Sequence, residues 1–419
     1  TVTSSFPPPM YSLLRFAGLL SLLYLGLSLA GCSSAPASPE PIRVMTYNVE
    51  DIRTADLRRS DHARMQRAAA IIQHLQPDIL LLQEITYDQP GDPGYKDGDR
   101  PGQNARRFAE NYLSTPQADS LEALPMTAFM APTNTGIASG HDLNNDGTAV
   151  TAVPEIPAAS SDTAMPPQND AGRDYGEDAW GFGTFPGQYG MGLLVRDNLR
   201  IQTNDVRTFR LFKWSDMPGA RRPTNPETGL SWYDDATWQD LRLSSKSHWD
   251  VPVMLPDSSV IHVLASHPTP PGFDGPENRN GLRNYDEIRF WADYLDQAPY
   301  IYDDSTQTGG LSGDAHFVIM GDQNADPDGG GSVDGAIDQV LDHVRIDAAA
   351  PMASPEGQRA FSDLSPGHTA EWERRVDYVL PSRSLSVEDR GIWRPLDPNA
   401  IRASDHFPVW LDIRLPRAE

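Results

Sequence analysis

Apolar runs too short to be helices recur along the chain, and their Val, Ile and Leu content, bounded by polar or turn residues, reads as strands. They fall at residues 42–49, 78–83, 190–195, 260–266, 317–320, 376–380 and 407–413. Apolar residues recurring every three or four positions predict helices over 63–75, stopped by Pro77, over 279–297 and over 333–343. Strands interleaved with helices over this length predict an α/β or layered α+β architecture in one domain, residues 42–416. Two stretches rich in Pro, Gly, Asn and Asp, 88–185 and 205–250, read as insertions. Loops of that length are usually functional or mobile.

The residues at the ends of those runs change the picture. Asn48 ends the first, Gln83-Glu84 the second, Ser266-His267 the run from 260, and Gly321-Asp322-Gln323-Asn324 the run from 317. Arg375-Val376-Asp377-Tyr378 and Ser404-Asp405-His406-Phe407-Pro408 instead stand where their strands begin. All six share one rim only if the late strands run antiparallel to the neighbours that end there, so the sheets are predicted to be mixed. Carboxylates and an amide on one rim make an oxygen-rich site suited to a hard cation such as Mg²⁺ or Mn²⁺. Two imidazoles, His267 and His406, handle protons or bind phosphate near neutral pH, with a buried aspartate to fix one tautomer. Metal, base and orienter together point to metal-assisted hydrolysis of a phosphoester. Taken singly, each residue also has a plain structural reading: Asn48 as a strand-end cap, Asp377 as a partner of Arg375, Ser404-Asp405 as a turn.

In this order, Tyr47-Asn48-Val49, Leu82-Gln83-Glu84, Ser266-His267, Gly321-Asp322-Gln323-Asn324, Arg375-Val376-Asp377-Tyr378-Val379 and Ser404-Asp405-His406-Phe407-Pro408 resemble the signature set of the endonuclease/exonuclease/phosphatase superfamily. The resemblance spans residues 42–413 and implies a four-layer sandwich, two mixed sheets face to face with helices outside. It implies that Glu84 is the principal metal ligand with Asn48 beside it, and that Asp405 helps hold metal and water. It also implies that His406, oriented by Asp377, is the general base or the transition-state phosphate contact. Asp322 would align the attacking water, Asn324 would bind a phosphate oxygen, and His267 would contact phosphate or assist the leaving group. Ser266-His267-Pro268-Thr269 departs from the family's usual Asn-Thr-His-Leu type of ending, and the Tyr or second His/Glu pair that family members often bring to the phosphate pocket stays unplaced.

Two further groupings carry chemistry of their own. Arg279 and Arg283 lie at i and i+4 on one helix face, either as a bidentate phosphate clamp or as a solvated face with Arg283 paired to Glu287. Asp142, Asn144 and Asp146, in Asp142-Leu143-Asn144-Asn145-Asp146-Gly147, fit the first half of a calcium loop, which would take Ca²⁺. The twelfth position is Val153 where such a loop has Glu, so an Asx-rich turn is the competing reading.

Residues 16–30 form an apolar run after Arg15, ending in small residues, with the shape of a secretory signal and short of the roughly 20 residues a spanning helix needs. The one cysteine follows in Leu29-Ala30-Gly31-Cys32, which resembles the lipobox of bacterial lipoproteins. That resemblance implies a signal over 1–32, lipidation of Cys32, a Ser-, Ala- and Pro-rich tether over 33–41, and a lipid-anchored place in the cell envelope. An ordinary signal peptide with an incidental Cys is the alternative. A single cysteine also excludes an intramolecular disulfide framework or a multi-Cys zinc site.

Charge then narrows the substrate. With 34 Lys plus Arg against 58 Asp plus Glu the net charge is −24, and Lys96, Lys213 and Lys246 are the only lysines. Long nucleic acid finds no obvious basic track on such a chain, so small phosphoesters are expected, with an extracellular nuclease acting on DNA or RNA as the runner-up. A non-catalytic surface lipoprotein is the third reading, opposed by the retention of Glu84, Asp322, Asn324, Asp377, Asp405 and His406.

Overall fold

Two six-stranded sheets organise the computed structural model, which describes residues 40–397 and 402–416. The strands are β1 (Ile42–Ile52), β2 (Ile79–Ile85), β3 (Met126–Phe129), β4 (Met191–Arg196), β5 (Arg200–Ile201), β6 (Arg207–Thr208), β7 (His248–Met254), β8 (Val260–Ser266), β9 (His316–Asp322), β10 (Asp377–Pro381), β11 (Ser386–Ile392) and β12 (Val409–Arg414). The first sheet runs β11-β12-β1-β2-β4-β3 and the second β10-β9-β8-β7-β5, with β6 also on β7. Each is mixed: β1 and β2 are parallel, as are β8 and β9, and the remaining pairs are antiparallel.

Alternation along the central strands explains the layering. Val44, Ile79 and Leu81 from the first sheet meet Val251, Val263 and Val318 from the second in one buried cluster. Their neighbours Met45, Leu80 and Leu82 point the other way, against Met65, Ala68 and Ile72 of the helix Ala63–Leu75. Phe317, Ile319 and Leu380 likewise face Ile288 and Trp291 of the helix Arg279–Leu295. Strands covered on both faces read as continuous apolar runs, which is why the sequence marked them. The result is the expected four-layer α/β sandwich, helix on sheet on sheet on helix.

Some elements differ from expectation. The helix predicted over 333–343 is reduced to Asp338–Leu341, because Gly335 takes φ +76 and turns the chain. β7 went unmarked since Pro252 interrupts its pattern, yet it pairs with β8 along its whole length. β11 is a charged edge strand, Glu388-Asp389-Arg390, of the kind that blunts an edge. The stretch 88–185 holds a helix, Asn104–Phe108, whose Ala105 and Phe108 join the outer core, and β3 extends the first sheet. Cys32 and the run before it lie outside the described residues.

Candidate active site

Strand register builds the rim. Asn48 pairs with Gln83 in the parallel β1–β2 ladder, which sets Glu84 one residue beyond. Asp377 sits directly across from Asp322 in the antiparallel β10–β9 ladder. Ala265 pairs with Met320, so His267 and Asp322 leave the parallel β8–β9 pair side by side. Gly321 is required there: at φ +143, a Cβ on it would lie 1.9 Å from the Ser266 carbonyl oxygen. The two sheets meet at Asn48, whose Nδ2 donates to Glu84 Oε1 (3.0 Å) and to Asp322 Oδ2 (3.1 Å). Its Oδ1 accepts from the Glu50 amide (3.0 Å), so Asn48 turns a donor toward the carboxylates, where an oxygen ligand was expected.

His406 is held at both ends. Its Nδ1 bonds Asp377 Oδ2 at 2.9 Å, while Nε2 lies 3.7 Å from Asp322 Oδ2 and 4.0 Å from Asp405 Oδ1. Burial alone would lower its pKa, but Asp377 and then Asp322 outweigh that and raise it to about 10. The carboxylates outnumber this one imidazolium. Burial and mutual repulsion therefore raise Asp322 to about 6 and Asp405 to about 7, against the pull of His406. Burial likewise raises Glu84, opposed by the Asn48 hydrogen bond. His267 differs from His406. Burial, and then the charges of Lys246 and His406, push it well below the usual range, so it stays neutral, with Nε2 3.5 Å from Asp322 Oδ2. Asn324, at φ +52, donates from Nδ2 to the Pro268 carbonyl at 3.1 Å.

Several supporting residues carried no signal in the sequence. Arg64 donates to the carbonyls of Val49, Glu50 and Asp51 and so clamps the irregular end of β1, where Glu50 and Asp51 both have φ +51. Glu50 in turn accepts the Asp405 amide (3.0 Å) and pairs with Arg402. Thr369 Oγ1 accepts the amides of Val376 and Asp377, while its carbonyl accepts that of Phe407, tying the two late motifs together. The Trp372 ring meets His406 edge-on at 4.7 Å. Tyr189, at φ +57, lies close enough to Asp51 and Glu84 that their charges, after burial, hold its hydroxyl protonated.

Other predicted residues lie apart from the rim. Arg279 pairs with Glu277, and Arg283 spends its guanidinium on the carbonyls of Leu243, Trp180 and Arg242, so neither is a free phosphate clamp, and Arg283 is not hydrogen-bonded to Glu287. In the 142–147 loop, Asp142 accepts from the amides of Asp146 and Gly147, and Asn144 Oδ1 from that of Asp146, a self-closed Asx turn. Asn144 Nδ2 also donates to Glu177 at 2.8 Å, an acid brought from the separate helix Asp170–Glu177.

Whether this rim suits a hard divalent cation rests on its donors. One ligand atom each from Asp322, Asp377 and His406 lies within 4.8 Å of the others, and all three residues are buried. Asp377 Oδ1 is buried with no hydrogen-bond partner among the described residues. Glu84 and Asp405, whose charges act on each other and which lie outside the Asp377–His406 hydrogen bond, add two carboxylates beside this group, and an oxygen-rich rim with that surplus negative charge fits such a cation through them. Residues 45–406 match the model of the Endonuclease/Exonuclease/phosphatase family. The chain belongs to the endonuclease/exonuclease/phosphatase family. Members of this family are typically hydrolases of phosphoester bonds and generally depend on divalent metals.

The chain also aligns with solved structures. A family protein from Beutenbergia cavernae DSM 12333 aligns at 17% identity and TM-score 0.48, over 90% of this chain and 72% of its own. The human Nocturnin catalytic domain with bound sulfate aligns at 14% and 0.41, over 90% and 95%. The mannosyl-6-phosphatase of Bacteroides thetaiotaomicron VPI-5482 aligns at 12% and 0.42, over 89% and 100%. No curated protein matches the chain.

Proposed function

We propose that the chain is a divalent-metal-dependent phosphoesterase acting on small phosphoesters. The observation that carries this reading is the buried Asp377–His406–Asp322 line, with Nδ1 fixed at 2.9 Å and Nε2 turned to the rim. Glu84 and Asp405 would hold Mg²⁺ or Mn²⁺, with Asn48 steering Glu84 from beside it. When bound, that cation polarises a phosphoryl oxygen and offsets the surplus negative charge. Asp322, raised only to about 6, is ionised at neutral pH and accepts the proton of the attacking water. His406, protonated and locked by Asp377, stabilises negative charge on the phosphoryl oxygens, which favours its role as phosphate contact over that of base. Neutral His267 and the Asn324 amide donate hydrogen bonds to the same group.

The test is hydrolysis of p-nitrophenyl phosphate, bis-p-nitrophenyl phosphate and plasmid DNA by the full chain with Mg²⁺, Mn²⁺ or EDTA. We expect metal-dependent turnover of at least one small ester, abolished in Glu84→Gln and His406→Ala that remain folded. Turnover in EDTA, or unchanged by either substitution, would sink the assignment; cleavage of DNA alone would favour the nuclease.

The lipobox-like Leu29-Ala30-Gly31-Cys32 supports a second element of the proposal, secretion and tethering to the cell envelope through Cys32. Cys32→Ser should move the protein from the membrane to the soluble fraction, and retention in the membrane would count against lipidation.

A further inference from the structure

Cations collect just beside the acidic rim, on the segments between β3 and β7. Asn134 organises them. Its Nδ2 donates to the carbonyls of Arg210 (2.8 Å) and Ser244 (2.8 Å), and its Oδ1 accepts from Arg242 Nη1 (2.5 Å). Its amide also donates to the Lys246 carbonyl. Gly181 is pressed so tightly on this turn that a Cβ would lie 1.8 Å from the Ser245 carbonyl oxygen, which fixes the wall.

A hydrogen bond and an electrostatic influence link this shelf to the residues of the rim. From one side, Lys246 Nζ donates to the Pro268 carbonyl (3.3 Å), the same oxygen that accepts from Asn324 Nδ2. From the other, Arg210 lies near enough to Tyr87, three residues beyond Glu84, for its charge to act on the phenol. The charge is poorly compensated. Arg210 and Arg283 repel Arg242, whose pKa burial and that repulsion lower to about 10, with only Asp304 opposing. Arg283 in turn repels Lys246, where burial is the larger influence and Glu287, Glu84 and Asp322 oppose. No carboxylate lies within ion-pair distance of Arg210, Arg242 or Arg283 among the described residues. Arg283 is spent on carbonyls, but Arg210 and Arg242 are only partly buried, and the Arg210 guanidinium makes no hydrogen bond among the described residues.

We propose that Arg210 and Arg242 form a second anion subsite, so that the substrate is a small phosphoester carrying a second phosphate. This rests on the phosphoesterase reading of the neighbouring rim. Guanidinium forks take phosphate bidentately, and a pair with no carboxylate in direct ion-pair contact gains most from a dianion. On a chain of charge −24 the shelf is local and gives no extended path for a polynucleotide, which favours a small molecule.

Calorimetry of the full chain in Mg²⁺ with fructose 6-phosphate, fructose 1,6-bisphosphate and a short oligodeoxynucleotide tests this, with phosphate release recorded separately. The bisphosphate should bind at least about tenfold more tightly than the monophosphate, and that preference should fall below about threefold in Arg210→Gln/Arg242→Gln. Arg210→Gln alone, which removes no bond of the fold, should lose part of the preference and guards against a folding defect. Equal affinities in the wild type, or a preference that survives both substitutions, would overturn the subsite. Tighter binding of the oligonucleotide through the same arginines would overturn the small-molecule class. A binding preference without any phosphate release would leave the shelf standing and remove the hydrolase reading.

Discussion

The acidic rim and the basic shelf are linked through the Pro268 carbonyl, which accepts from Asn324 and Lys246, and they are built in opposite ways. The rim is made at the ends of central strands, where register alone sets Glu84 beyond Gln83 and Asp322 across from Asp377. The shelf is made by the long segments before β7, held by contacts such as Asn134 to Arg210 and Arg242. In the rim, burial and then neighbouring carboxylates raise Asp322 and Asp405; on the shelf, burial and then neighbouring guanidinium groups lower Arg242. On the proposed reading the difference teaches a division of labour: the sheet core would fix the reaction, and the segments added to it would select what is reacted upon.

The sharpest way to break that division is at Asp377, a fully buried rim residue. Asp377→Asn should lower kcat by roughly 10²-fold with little change in KM, since the imidazole loses its orienter and the charge that keeps it protonated. The pH dependence follows with a definite sign. His406 is raised to about 10 in the fold, so its contribution to stability is complete below the ordinary histidine range near 6.5 and is lost as pH rises through about 10. In metal-free protein, NMR titration of His406 should show that high value, and Asp377→Asn should lower it by roughly one to three pH units. Urea midpoints should then fall less between pH 7 and pH 10.5 in the variant than in the wild type. An unmoved His406 titration would mean that the loop around Trp372, not the core strand, sets the imidazole.

How much of this was legible in the sequence follows the same division. The central strands, the helix Ala63–Leu75 and the residues at their ends were readable because each is a local pattern: an apolar run buried on both faces, then a polar terminus. The antiparallel entry of β10 and β12 followed from requiring one rim. Residues that act by long-range contact were not readable. Arg64 looks like any helix arginine until its guanidinium is seen on the carbonyls of residues 49–51, and Thr369 like any loop threonine until it ties Asp377 to Phe407. The Arg279 and Arg283 pairing read correctly as a helical spacing, but which carbonyls would take Arg283 depended on the tertiary packing of the 180 and 242–243 segments. Net charge pointed away from nucleic acid yet concealed the local basic shelf, because a sum says nothing of distribution.

Lys246 lies between the two regions and offers the finest discrimination, with the smallest expected effect. Its ammonium is buried, makes one hydrogen bond among the described residues, to Pro268, and is attracted by Glu287, Glu84 and Asp322 and repelled by Arg283. Burial is what holds its pKa down, so the isosteric Lys246→Met relieves a desolvation cost while removing a positive charge from beside the rim. We expect stability within about 1 kcal/mol of the wild type and kcat/KM lower by about tenfold, equivalent to about 1.4 kcal/mol. The loss should be equal for mono- and bisphosphate substrates, since the ammonium shares the Pro268 carbonyl with Asn324 and thereby belongs to the reacting group. A loss confined to the bisphosphate would move Lys246 onto the shelf, and the boundary between reaction and selection would then run through the Pro268 carbonyl instead of ahead of it.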